Sequence, residues 1–97
     1  MHVALICRDK PGHLQTRLDA RPAHVEFLNR LNAEGKLAFA GPFLGGDGKP
    51  TGSLVVLSVA SIDEAGTLAA DDPYAKAGLF AEVEIRHWNW TFNAPGA

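Results

Sequence analysis

The chain has 97 residues, 46% of them hydrophobic and 21% charged, with a formal net charge of −2. Those values describe an ordinary globular chain with room for one domain, 1–97, and exclude a disordered segment; the small, evenly spread charge predicts no nucleic-acid partner. With Cys7 as the single cysteine, neither a disulfide nor a cysteine-based zinc site can form within one chain.

His2 to Cys7 is an apolar run bounded by Arg8-Asp9-Lys10-Pro11-Gly12, and reads as a buried strand followed by a turn. It starts almost at Met1 with no basic and apolar leader before it, so the expectation is a cytoplasmic protein with no membrane span. From about Arg17 to Glu34 the period changes. His24, Phe27, Leu28, Leu31 and Gly35 fall at i, i+3, i+4, i+7 and i+11, which predicts an amphipathic helix, with Pro22 in its first turn and Gly35 as its cap. Lys36 to Phe43 reads as a second strand, the turn formers of 45–50 as a hairpin loop, and Ser53 to Val59 as a third strand. Ser61 and Glu64 form a capping box that opens a second helix, which cannot pass Asp72 because Pro73 follows. A tight turn through Tyr74 to Gly78 then leads into a last strand, Leu79 to Phe92, and a short tail, 94–97.

The order strand, helix, strand, strand, helix, strand predicts a ferredoxin-like βαββαβ fold of the α+β class. Its four-stranded antiparallel sheet carries both helices on one face. The other face is left open, and a second copy of the chain is the natural cover for it.

The glycine-rich loop 45–52 contains Gly48-Lys49 but fits neither a phosphate-binding loop nor a dinucleotide fingerprint, and it precedes a strand rather than a helix N-terminus. The four histidines, His2, His13, His24 and His87, have no metal-ligand spacing, so no metal is expected. Two residues stand out. His24 lies on the apolar stripe of the first helix, where a histidine is ordinarily a core residue satisfied by one hydrogen bond. Asp71-Asp72 closes the second helix, where the helix dipole disfavours each carboxylate by about 0.3–1 kcal/mol. A solvated turn explains the pair blandly. The functional alternative is a carboxylate that accepts an N–H from a buried imidazole, fixing its tautomer so that it can move protons near neutral pH.

Arg21-Pro22-Ala23-His24, Gly35-Lys36-Leu37, Ala40-Gly41-Pro42, Gly52-Ser53, Asp72-Pro73-Tyr74-Ala75-Lys76-Ala77-Gly78-Leu79-Phe80 and Ile85-Arg86-His87-Trp88 follow one another along the chain. Together they resemble the successive signatures of YCII-related proteins. The Asp-Pro-Tyr stretch is the most specific of them. His87-Trp88 departs from the Pro-Trp of many relatives, and leaves the place of His87 open.

The resemblance implies a dimeric α+β barrel and an active site built on a His–Asp dyad, whose positions fall on His24 and Asp72. It also implies, in at least one branch, enzymes that eliminate halide from hydroxylated aromatic rings. Arg21, three residues before His24 on the same helix face, is a candidate for holding a ligand carboxylate or phenolate. Ser53, at a strand start, is a second candidate for ligand binding. Tyr74, Trp88 and Trp90 are expected to serve packing and interfaces.

Two functions fit. One is an enzyme needing no cofactor, an isomerase, lyase or dehydrochlorinase, in which His24 moves the proton, Asp72 orients it, and Arg21 and Ser53 bind a small oxygenated metabolite. The other is a homodimeric domain, open to further assembly, that binds a small ligand in the same pocket without catalysis.

Overall fold

The computed structural model describes residues 1–96. Its elements run β1 (His2–Asp9), α1 (Leu14–Ala33), β2 (Leu37–Leu44), β3 (Pro50–Ser58), α2 (Ile62–Asp71), α3 (Pro73–Lys76) and β4 (Phe80–Trp88). The strands form one sheet in the order β2-β3-β1-β4, every neighbouring pair antiparallel. That is the expected ferredoxin-like arrangement, with β1 and β3 at the centre.

Strand alternation divides the two faces. Val3, Leu5 and Cys7 of β1 and Val55 and Leu57 of β3 point to the helices, where they pack with Phe27 and Leu31 of α1 and Ala65 and Ala69 of α2. Burying each large side chain of this set is worth about 1.5–3 kcal/mol relative to exposure. On the opposite face Ala4 stands opposite Val56, and Ile6 opposite Leu54. Ile6 and Leu54 are only half-buried, and Phe43 and Trp88 are 42% and 38% exposed. Arg8 pairs there with Glu82 and Glu84 at 3.4 and 3.5 Å. At one end His2, Phe39, Trp88 and Trp90 pack edge to face and tilted, with centroids 4.9–6.3 Å apart.

Four of the departures from the expected boundaries have a physical reason. First, α1 begins at Leu14, just beyond the Pro11-Gly12 turn, so Pro22 lies inside the helix rather than in its first turn. Its missing N–H would have served the carbonyl of Leu18, and both residues are exposed, where that loss is tolerated. Second, β3 starts three residues early, at Pro50, and shortens the hairpin loop; Gly45 N–H closes it on the Lys49 carbonyl at 2.9 Å. Third, the segment after Pro73 is a helical turn, α3, rather than a tight turn. Fourth, β4 ends at Trp88, because its pairing with β1 runs out at His2.

The caps behave nearly as read. Ser61 Oγ accepts the Glu64 N–H at 3.1 Å, but Glu64 reaches back one residue further than a reciprocal box, taking the Ala60 N–H at 3.0 Å. At the end of α1, Lys36 N–H donates to the Leu31 carbonyl at 2.9 Å past Gly35. Gly52 is required by close approach: a Cβ there would lie 2.3 Å from the Cys7 carbonyl oxygen across the β1–β3 pair.

Candidate active site

The site is built where α3 meets α1. Asp72 ends α2 and is also the N-cap of α3, its Oδ1 accepting the Tyr74 N–H at 2.9 Å. An aspartate is favoured in that role, and Pro73 suits the first helical position. The carboxylate is therefore a helix start as much as a helix end, which removes the electrostatic cost that singled it out in the sequence. Gly78, at φ 73°, lets the Leu79 N–H return to the Tyr74 carbonyl at 3.1 Å and closes the turn. These bonds fix Tyr74, which is 2% exposed.

His24 comes to this turn from α1. Its Nδ1–H donates to Asp72 Oδ1 at 2.8 Å, and both residues are buried. Its ring stacks on Tyr74, with centroids 3.8 Å apart and planes 14° from parallel. The hydrogen bond fixes the ring in its plane and the stack fixes it out of plane. With Nδ1–H committed, the neutral imidazole carries its lone pair on Nε2.

Arg17, two turns before His24 on the same face of α1, holds a second polar assembly. Its Nε and Nη2 donate to the two oxygens of Asp9 at 2.7 and 2.9 Å, and Nη2 donates also to Ser53 Oγ at 3.0 Å. Its guanidinium carbon lies 4.6 Å from the centroid of the Tyr74 ring. Tyr74 thus touches both Arg17 and His24.

A cavity of about 190 Å³ opens between α1 and the β2–β3 edge. Arg17, Arg21, His24, Ser53 and Tyr74 give it polar character, and Leu28, Val55 and Pro42 are among its apolar walls. An apolar cavity of about 150 Å³ already admits a benzene ring, so this one has the size for a substituted ring.

Charge in the site is arranged by burial and pairing. Burial would lower the pKa of Arg17, but the hydrogen bond and charge of Asp9 outweigh it and hold the guanidinium above its ordinary value. Burial raises the Tyr74 phenol, against the opposing pull of Arg17 and Arg21. Cys7, beneath the site in the core, is pushed up to about 12 by burial, with the charge of Asp72 adding to it, so its thiol stays protonated.

The four residues singled out in the sequence have different fates. His24 and Asp72 meet directly. Ser53 is buried and lines the cavity, bonded to Arg17 rather than to the histidine. Arg21 lines the cavity but is exposed, and pairs with no carboxylate among the described residues. Because α1 starts at Leu14, Arg21 stands in the second turn, clear of the positive end of the helix dipole. Arg17 and Asp9 were not anticipated. The available signal was spacing: Arg17 is i−7 from His24 and so shares its face. Tyr74, expected to pack, does pack, and lines the cavity as well. His87 is exposed on β4 and does not border the cavity. Among the described residues no three of His, Cys, Asp and Glu gather to hold a metal, and no helix is long and apolar enough to cross a membrane.

A ferredoxin-like α+β domain with an open cavity of mixed polar and apolar lining on its helical side is the class that this geometry defines. The model of the YCII-related domain matches residues 1–89, and the chain belongs to that family. Protein YciI of Escherichia coli is 34% identical over 98 residues, covering 95% of this chain and 100% of that protein. The derivative of benzaldehyde biosynthesis cluster protein C of Emericella nidulans is 35% identical over 80 residues, 75% of this chain and 79% of that one. Among solved structures, the 5-chloro-2-hydroxyhydroquinone dehydrochlorinase of Burkholderia phenoliruptrix AC1100, in complex with 2,5-dihydroxybenzoquinone, superposes with a TM-score of 0.84. It is 36% identical and the match covers 92% of this chain and 94% of that one. A small-molecule catalytic role within the family is thereby supported.

Proposed function

We propose that this chain catalyses proton transfer on an oxygenated ring compound, in an elimination or isomerisation. His24 Nε2 takes or returns the proton, and Asp72 holds the tautomer and balances the imidazolium that forms. In an elimination the proton goes to His24, the electron pair of the broken bond forms the new double bond, and the halide leaves with its own pair. Arg21 and Ser53 bind the anionic part of the substrate. The observation that carries this reading is the His24–Asp72 hydrogen bond of 2.8 Å at the wall of a ring-sized cavity. The dehydrochlorinase neighbour, whose complex holds 2,5-dihydroxybenzoquinone, supports a hydroxylated ring as the substrate class.

The experiment is chloride release from 5-chloro-2-hydroxyhydroquinone, followed with the wild type and with His24→Asn. Release by the wild type and a loss of about 10²–10⁴-fold in the variant, with unchanged circular dichroism, supports the proposal. Equal release by both would sink it. Binding of the ring with no release by either leaves the non-catalytic ligand domain as the function.

The same reading takes the chain as a homodimer joined through the open sheet face, where Ile6 and Leu54 on the central strands and Phe43 and Trp88 on the edge strands are incompletely covered. Light scattering on the wild type and on Leu54→Glu tests it: a dimer that the charge converts to a monomer is the expected result, and a monomeric wild type would refute it.

A further inference from the structure

Three buried residues on the cavity wall each keep one polar atom out of use. Arg17, His24 and Tyr74 are 4%, 7% and 2% exposed. Arg17 engages Nε and Nη2 with Asp9 and Ser53, and His24 engages Nδ1 with Asp72. His24 Nε2 makes no hydrogen bond among the described residues, and Arg17 Nη1 and the Tyr74 hydroxyl form none of good geometry, although the guanidinium and the phenol lie close enough to perturb each other. Yet no fully buried side-chain nitrogen or oxygen there lacks a partner. The three atoms therefore reach open space, and the open space these residues share is the cavity.

Their chemistry is unequal. Arg17 Nη1 can only donate, the protonated Tyr74 hydroxyl is poised to donate, and Nε2 of the neutral imidazole accepts. Two donors and one acceptor on the wall of one cavity suit a ligand with an oxyanion at one position and a transferable proton at a second. We propose that Arg17 Nη1 and the Tyr74 hydroxyl jointly hold the anionic oxygen of a ring ligand, a phenolate or enolate, with Asp9 as the positioning residue that pins Arg17. This deepens the proposed function by replacing Arg21 and Ser53 as the holders of the anion, and rests on that cavity being the ligand site.

Three observations favour Arg17 over Arg21 for this task. Arg17 is pinned by three hydrogen bonds, so its donors need no reorganisation when charge develops on the ligand. It is buried, where a charge-assisted hydrogen bond is strong, whereas Arg21 is exposed to water. And it lies against the Tyr74 ring that also supports His24, so the oxyanion donors and the proton acceptor sit on one rigid frame. Because Asp9 already balances the charge of Arg17, the pair selects a delocalised oxyanion rather than a phosphate.

The test is calorimetric binding of 2,5-dihydroxybenzoquinone as the anionic probe, with hydroquinone as a neutral ring of similar size. The proteins are the wild type, Tyr74→Phe, and the double variant Asp9→Asn with Arg17→Gln, which leaves no unpaired charge in the core. Tyr74→Phe should weaken the anionic probe about tenfold, and the double variant about a hundredfold. Neither should change hydroquinone binding by more than about twofold, the loss being one of charge recognition rather than of ring burial. If both variants bind the quinone as the wild type does, the oxyanion pair is wrong while the cavity remains the ligand site. If they lose hydroquinone equally, the two residues merely shape the cavity and the proposal falls. If the wild type binds neither ring, the proposed function falls and takes this inference with it.

Discussion

The Tyr74 ring lies nearly parallel to the His24 imidazole, and both residues donate to the same Asp72 oxygen, Tyr74 from its backbone at 2.9 Å and His24 from its ring at 2.8 Å. One carboxylate atom thus starts a helical turn and orients the imidazole. The fold of that turn and the chemistry of the site share a part.

That sharing separates two substitutions at one position. Asp72→Asn keeps an oxygen to accept both N–H groups and should stay within about 1 kcal/mol of wild-type stability, while losing the charge that balances an imidazolium. Asp72→Ala removes the cap and the partner of a buried imidazole, and should cost about 2–4 kcal/mol. Urea unfolding checks both; equal stability of the two variants would refute the shared role.

The Asp9–Arg17 pair is buried, so breaking it from one side is worse than removing it whole. Arg17→Met leaves an uncompensated carboxylate and should destabilise by about 3–5 kcal/mol, whereas Asp9→Asn with Arg17→Met should lose less than the single variant. A double-mutant cycle by denaturant unfolding measures the difference, and additive losses would contradict it.

Gly52 and Gly41 predict opposite outcomes for the same change. Gly52→Ala drives a methyl group into the backbone of Cys7, and should cost about 1–3 kcal/mol or more. Gly41→Ala meets nothing within 4 Å and should be nearly neutral. Thermal unfolding of the two variants side by side decides whether the close β1–β3 approach is a real constraint.

Alkaline pH should weaken the fold through Cys7. Its pKa is raised in the folded protein to about 12, while an unfolded thiol ionises near its ordinary value of 9.0. The folded state therefore holds the proton that the unfolded state releases, so this contribution is complete below pH 9 and is lost as pH rises from there towards 12. The buried phenol of Tyr74 acts with the same sign above its ordinary value of 10.0. Urea midpoints between pH 8 and 10.5 should fall less steeply in Cys7→Ala, and folded wild type at pH 9 should resist thiol reagents.

Element order and sheet topology were legible because strand and helix leave different periods in the chain, and His24 was legible because it interrupts an apolar stripe. The start of α1 was not. Pro22 resembles a first-turn proline, and the backbone bond from the Arg17 N–H to the His13 carbonyl is what shows that the helix begins earlier. Arg17 itself was hidden because an arginine on a helix reads as solvated until its partners, Asp9 on β1 and Ser53 on β3, are brought to it from 8 residues before and 36 after. Tyr74 was assigned to packing because its neighbours in sequence describe the turn and not the cavity beyond it. For Arg17 and Tyr74 the missing information was long-range pairing, which no local pattern carries.

The double duty of Asp72 also separates two kinds of inheritance. A descendant that abandoned chemistry would still need an oxygen there to begin its short helix, so the carboxylate could outlive the reaction. The imidazole has no such second employment in the backbone. Under the proposed function, position 24 is therefore the one expected to discriminate a working site from a retained scaffold.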